Sequence, residues 1–194
     1  MQKVSFLVVA GTFAVVSSLP SLPSFTAGML AQGTSRAGSG NPISQAIRQG
    51  WTTAQKNITA SAELMPEANY GFKPVESVRT FGQILAHVAG ANYEFCAASK
   101  GEKSPHAEDA FEKSATTKAA IVKALADSMT YCDGQFTALD DKSAAETIAM
   151  PFGMAKAARA SALMMNVGHL NEHYGNLVTY FRIKGIVPPS SRQQ

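Results

Sequence analysis

From Asn41 onward, apolar residues recur every three or four positions in four separate stretches. That is the spacing of an amphipathic helix, and no stretch shows the alternation of a half-buried strand over a useful length. The first stretch carries Ile43, Ile47, Trp51, Ala54, Ile58 and Met65. It opens on Asn41-Pro42, a capping residue before a proline suited to the first helical position, and Pro66 ends it. A turn-rich segment, PEANYGFKP, leads to Thr80-Phe81-Gly82-Gln83. Thr followed three residues later by Gln predicts a reciprocal capping box. The second helix then bears Phe81, Ile84, Leu85, Val88, Asn92 and Phe95, fading at Lys100-Gly101. Residues 100–116 are polar and broken by Pro105, long for a tight helix–helix turn. A third stripe runs through Ile121, Leu125, Met129, Cys132, Phe136 and Leu139, and a connection from Asp140 to Gly153 contains Pro151. The fourth helix is expected from about Lys156 to Lys184, with Leu163, Val167, Leu170, Tyr174, Leu177 and Phe181 as its stripe. Gly185 and Pro188-Pro189 are its stop. Four such helices predict an all-α fold, a four-helix bundle, and the long link between the second and third allows a crossover that makes those two parallel.

The N-terminal segment follows a different pattern. Lys3 precedes an apolar run from Val4 to Val16, about 13 residues, which suits a signal-peptide hydrophobic region and is short for a membrane span. Ser17, Ser18, Pro20, Ser21 and Pro23 follow, and no acidic residue appears before Glu63. A buried N-terminal helix would have to accommodate both prolines and the Gly/Ser-rich stretch behind them. Residues 1–33 are therefore expected to be a signal peptide and cleavage region, with small residues suited to cleavage at Thr26-Ala27-Gly28 and at Ala31-Gln32-Gly33. Residues 34–41 would be a flexible tether, 42–189 the helical bundle and 190–194 a C-terminal tail. This predicts export to a periplasmic or extracellular location, with no membrane attachment after cleavage, since no cysteine lies nearby to carry a lipid.

Composition narrows the function classes. Of 194 residues, 45% are apolar and 16% charged, enough to bury a core. Seventeen Lys plus Arg against 14 Asp plus Glu give +3, scattered along the chain. A nucleic-acid partner is excluded on that ground, because its footprint needs basic residues gathered on one face. Two cysteines exclude a disulfide-dense scaffold and a four-cysteine zinc site. Cys96 lies near the end of the second helix and Cys132 on the stripe of the third. In parallel helices the two sulfurs would be neighbours, and an exported protein meets conditions in which disulfides persist, so a bridge is expected. The alternative is two buried free thiols acting as small apolar residues.

The candidate chemistry rests on histidine. His169 and His173 are four residues apart, so on a helix their rings project from one face, the spacing with which one helix offers two imidazoles to one metal ion. They fall roughly 90° from the centre of the apolar stripe, a flank that suits a cleft, and Asn166 and Tyr180 share that flank. His87 lies one step off the Ile84–Val88 stripe, with Gln83, Gly90, Ala91 and Glu94 around it. His106 sits in the polar loop without such company. A histidine near an apolar face is more often a satisfied core or rim residue than a ligand, so the trio needs a meeting in space. His169-Leu170-Asn171-Glu172-His173 also spells the H-x-x-E-H signature of a metalloprotease class, but that class needs a larger α/β domain than this chain provides. Glu172 is expected to face solvent.

The segments MPEANYGFKPVESVRTFGQILAHVAGANYEFC and NVGHLNEHYGNLVTYFRIKGIVPP resemble the DinB-like superfamily, which includes the YfiT-type metal-dependent hydrolases. The resemblance spans about residues 42–189. It implies a four-helix bundle in up-down-down-up order and a divalent metal held by three histidines, here His87, His169 and His173, with water in the open positions. Open positions beside three neutral imidazoles belong to catalytic rather than structural sites. Zinc suits three imidazoles best, with nickel, iron(II) and manganese as alternatives. The family includes thiol-dependent transferases and isomerases, whose low-molecular-weight thiols belong to the reducing cytosol, at odds with an exported chain. Glu94, on the His87 side, is a weak candidate for a general base. The expectation is a metal-dependent hydrolase or transferase for a small-molecule substrate, with a homodimer as an option. The alternative is a metal-binding module without turnover.

Overall fold

The computed structural model describes residues 40–192. The expected signal peptide and cleavage region, tether residues 34–39 and the last two residues lie outside them. The described chain is all-α apart from one two-residue ladder, and its four longest helices are α1 (Pro42–Leu64), α2 (Phe81–Lys100), α4 (Lys118–Ala138) and α6 (Arg159–Ile183). Two short helices, α3 (Ala110–Ser114) and α5 (Asp141–Ala144), punctuate the connections. Strands β1 (Thr147–Ile148) and β2 (Ala157–Ala158) pair antiparallel, with Thr147 opposite Ala158, and α6 starts directly after β2. The fourth helix thus begins three residues later than its apolar spacing suggested, because residues 157–158 serve the ladder.

Each long helix buries the stripe its sequence sets out, except that Val167 of α6 is only partly buried and the first apolar residue of α1 is not covered. Ile43 is 60% exposed, since α1 enters the packed region only at Ser44 and Ile47. Trp51 stacks on Phe136 with ring centroids 4.2 Å apart, and its indole N–H donates to Asp133 Oδ1 at 2.8 Å. Such a stack adds about 0.5–1.5 kcal/mol beyond the burial of its surface. Helix α2 packs on both α4 and α6, and α1 on both as well. Nearly every residue of α2 is buried.

Capping ties the helices to one another. The Thr80–Gln83 box is formed: the Gln83 backbone N–H donates to Thr80 Oγ1 at 3.2 Å, and the Thr80 N–H donates to Gln83 Oε1 at 2.8 Å. Asn41 does not cap its own helix. Its Oδ1 accepts the Asp141 N–H at 2.9 Å, and Asp141 Oδ1 accepts the Ser44 N–H at 2.8 Å, so the starts of α1 and α5 cap each other. Neither α1 nor α4 has a basic residue in its last turn. Lys118, at the start of α4, donates to the Glu63 and Met65 carbonyls at the end of α1 (2.8 and 2.9 Å). Arg48 in α1 donates to the Leu139 carbonyl after α4 at 2.6 Å. Arg159, first in α6, donates to the Ser99 carbonyl near the end of α2. Cations from neighbouring helices thus satisfy the carbonyls a helix end leaves open.

Cys96 and Cys132 are bridged, with α-carbons 5.4 Å apart, so α2 and α4 are covalently joined in the core. Asn166 is drawn to this bridge. Its amide nitrogen lies 3.5 and 3.7 Å from the two sulfurs, and the residue is fully buried. The expectation that it shares the histidine flank is corrected accordingly: Asn166 serves the core.

Candidate metal centre

Helix α6 supplies His169 and His173 and helix α2 supplies His87. The three rings meet through their Nε2 atoms. His87 Nε2 lies 3.1 Å from His169 Nε2, which lies 3.0 Å from His173 Nε2. One ligating nitrogen from each lies within 4.8 Å of the other two. Four-coordinate zinc with nitrogens at 2.0–2.1 Å has ligands about 3.3 Å apart, so the spacing fits a single ion with little adjustment. Three Nε2 lone pairs facing one point repel one another unless a proton or a cation lies between them.

Burial favours the cation. It pushes the His169 imidazolium pKa down to about 3, with the charges of His173 and His87 adding to the effect. Burial and the charges of His87 and Arg79 push His173 down to about 4. His87 is lowered too, first by burial and then by Arg79. All three rings are therefore neutral at pH 7, the form in which imidazole binds metal.

The outward-facing nitrogens differ from ring to ring. His87 Nδ1 is buried without a well-formed hydrogen bond, 3.3 Å from Glu112 Oε1 and 3.7 Å from Glu108 Oε1. His173 Nδ1 lies 3.5 Å from the Asn176 amide nitrogen. His169 Nδ1 is buried without a partner, and its ring packs against Phe95 at 5.8 Å between centroids. Phe152 in turn meets Phe95 edge-on at 5.4 Å, from the loop between β1 and β2.

The carboxylates beside His87 come from the link between α2 and α4. That link lies against α2 at Gly90, where a β-carbon would overlap the Glu108 carbonyl oxygen. The room that Gly90 leaves is thus filled by backbone. Glu112 is clamped by Arg79, whose Nε donates to Oε2 at 2.9 Å and whose Nη2 donates to Oε1 at 3.3 Å. The Tyr180 hydroxyl donates to the Arg79 carbonyl at 2.7 Å.

His173 lines a cleft of about 870 Å³ together with Lys73, Arg79, Gln83, Asn176 and Tyr180. Glu172 also lines it and is exposed. Glu94 faces the link that carries Glu108: burial, and next the Glu108 charge, raise its carboxyl pKa, and Ser104 hydrogen-bonds to it. Among the described residues, the carboxylates with an oxygen within 4 Å of a trio ring nitrogen are Glu108 and Glu112. His106 is exposed and packs on Tyr93, apart from the trio. Sequence reasoning missed Glu112 and Arg79. Neither has a local pattern linking it to His87, and the polar link reads as solvated loop.

A family model described as the DinB superfamily matches residues 51–177. A DinB-like protein from Bacillus cereus has a similar fold, with TM-score 0.59 and 16% identity, over 75% of this chain and 95% of that one. A mycothiol-dependent maleylpyruvate isomerase gives TM-score 0.57 and 16% identity over 69% of this chain and 60% of its own. A conserved protein from Enterococcus faecalis gives TM-score 0.57 and 13% identity over 72% and 95%. No functionally curated protein matches the sequence.

Proposed function

Because the chain belongs to the DinB superfamily, we propose that it is an exported metal-dependent hydrolase or transferase that holds one divalent ion, zinc by preference, through His87, His169 and His173. The observation that carries this reading is the convergence of three neutral Nε2 donors beside a cleft of small-molecule size. A divalent ion bound there would supply Lewis acidity toward a carbonyl and lower the pKa of water to about 7. The chain's own groups would bind and orient the substrate. Lys73, Arg79, Gln83 and Asn176 offer the cleft several hydrogen-bond donors, which suits a small polar substrate. Phe95 and Phe152 cover the His169 side with apolar surface that keeps bulk water away.

Export is part of the proposal and is supported by the Cys96–Cys132 bridge, since disulfides persist in oxidising compartments. The same argument sets the chain apart from thiol-dependent chemistry such as that of the mycothiol-dependent isomerase. An up-down-down-up bundle is likewise part of it. Contacts between α2 and α4 advance together along both helices, from Asn92 with Ser128 to Cys96 with Cys132, as parallel neighbours require. Contacts of α1 with α4 run oppositely, from Arg48 with Leu139 to Met65 with Lys118.

The test is metal content. Purified protein should carry one equivalent of a divalent metal and His173→Ala should carry none. Stoichiometric metal retained by that variant would refute the site. A screen of hydrolase and group-transfer substrates on the loaded protein then separates an enzyme from a binding module.

A further inference from the structure

The trio points its Nε2 atoms inward, which requires each ring to keep its proton on Nδ1 when a metal is bound. A buried Nδ1–H without an acceptor costs about 1–3 kcal/mol. His87 is the ring for which the chain provides a carboxylate acceptor. Its Nδ1 is buried, and Glu112 Oε1 stands 3.3 Å away. The Glu112 side chain is only 17% exposed, and the Arg79 guanidinium holds both its oxygens. Oε1 thus lies between the guanidinium and the imidazole. Glu108 is a poorer partner, farther away and 45% exposed.

We propose that Glu112, clamped by Arg79, is the positioning residue of the metal centre: it accepts the Nδ1 proton of His87 and so fixes the tautomer whose Nε2 lone pair faces His169 and His173. A carboxylate behind a ligating histidine fixes ring orientation and raises ligand basicity. The proposal rests on the trio's role as a metal site. It extends that reading to a residue from the α2–α4 link, and it gives Arg79 a role at the centre as well as in the cleft. No group other than Glu112, Glu108 and Arg79 is needed.

Two readouts test it. In metal-free protein, nitrogen-15 spectra of the histidine rings should show His87 as the Nδ1–H tautomer. In Glu112→Ala that preference should be lost, and in Glu108→Ala kept. In zinc titrations against a chromogenic chelator, Glu112→Ala should bind about 10–100-fold more weakly than wild type, with Glu112→Gln intermediate because its amide oxygen still accepts. The melting temperature of each metal-free variant guards against a merely structural loss, and Glu112→Gln keeps the test open should Glu112→Ala fail to fold. An unchanged His87 tautomer, or wild-type zinc affinity in Glu112→Ala, overturns the proposal. A wild-type protein that binds no zinc yet loses the tautomer in Glu112→Ala would overturn the metal reading alone.

Discussion

Gly90 is the residue on which the site's geometry depends without contributing a side chain. Its missing β-carbon lets the Glu108 backbone lie against α2, three residues beyond His87. Gly90→Ala should force the link outward at a cost of about 1–3 kcal/mol, read as a lower urea midpoint. It should also increase proteolytic cutting between residues 101 and 116. A variant as stable and as resistant as wild type would show that the link does not need that contact. His169 and His173 were legible in the sequence because an i, i+4 pair is a local pattern, and His87 joined them through the family resemblance. Glu112 was not, because its link to His87 is made by a chain segment crossing a helix at a glycine, and no spacing rule encodes that. Asn166 misled for a related reason. Helical angle placed it on the flank of the histidines, but the buried disulfide beside it sets where its amide points.

At the scale of the element, the helices were legible and their ends only partly so. The stripe of α4 is buried at Ile121, Leu125, Met129, Cys132, Phe136 and Leu139, as its spacing sets out. The Thr80–Gln83 box was readable because both partners lie within one turn. The exchange of caps between α1 and α4 was not, since Lys118 and Arg48 act on carbonyls more than fifty residues away in the chain. The bridge between α2 and α4 encloses 36 residues of sequence separation. Chain entropy assigns such a loop about 4 kcal/mol. Paired Cys96→Ser and Cys132→Ser substitutions should therefore lower unfolding free energy by about that amount or more, given two hydroxyls left in the core. Denaturant titration of the oxidised wild type against the double variant checks this, and equal midpoints would assign the bridge no stabilising role.

For the whole molecule, the buried trio sets a pH dependence. Each ring has a folded pKa below the ordinary value of 6.5, near 3 for His169 and near 4 for His173. Between those limits the unfolded chain binds protons that the folded chain refuses, so stability must fall as pH falls. In metal-free protein the urea midpoint should drop steadily from pH 7 to about pH 4. Asp140 and Asp141 have lowered carboxyl pKa values through their capping bonds, and they contribute in the same direction from about pH 5 downward. Replacing His169 and His173 by Gln should leave above about pH 5 only the smaller slope that His87 sets, and an undiminished slope would place its source outside those two rings.

The bridge has one more consequence, in how the chain is connected. His87 lies on the N-terminal side of Cys96, and His169 and His173 lie on the C-terminal side of Cys132. A peptide bond broken anywhere between the two cysteines, including in the link that carries Glu108 and Glu112, therefore leaves all three histidines in one covalent molecule. The exposed turn at residues 101–103 is thus a place where the protein can be cut without separating its ligands.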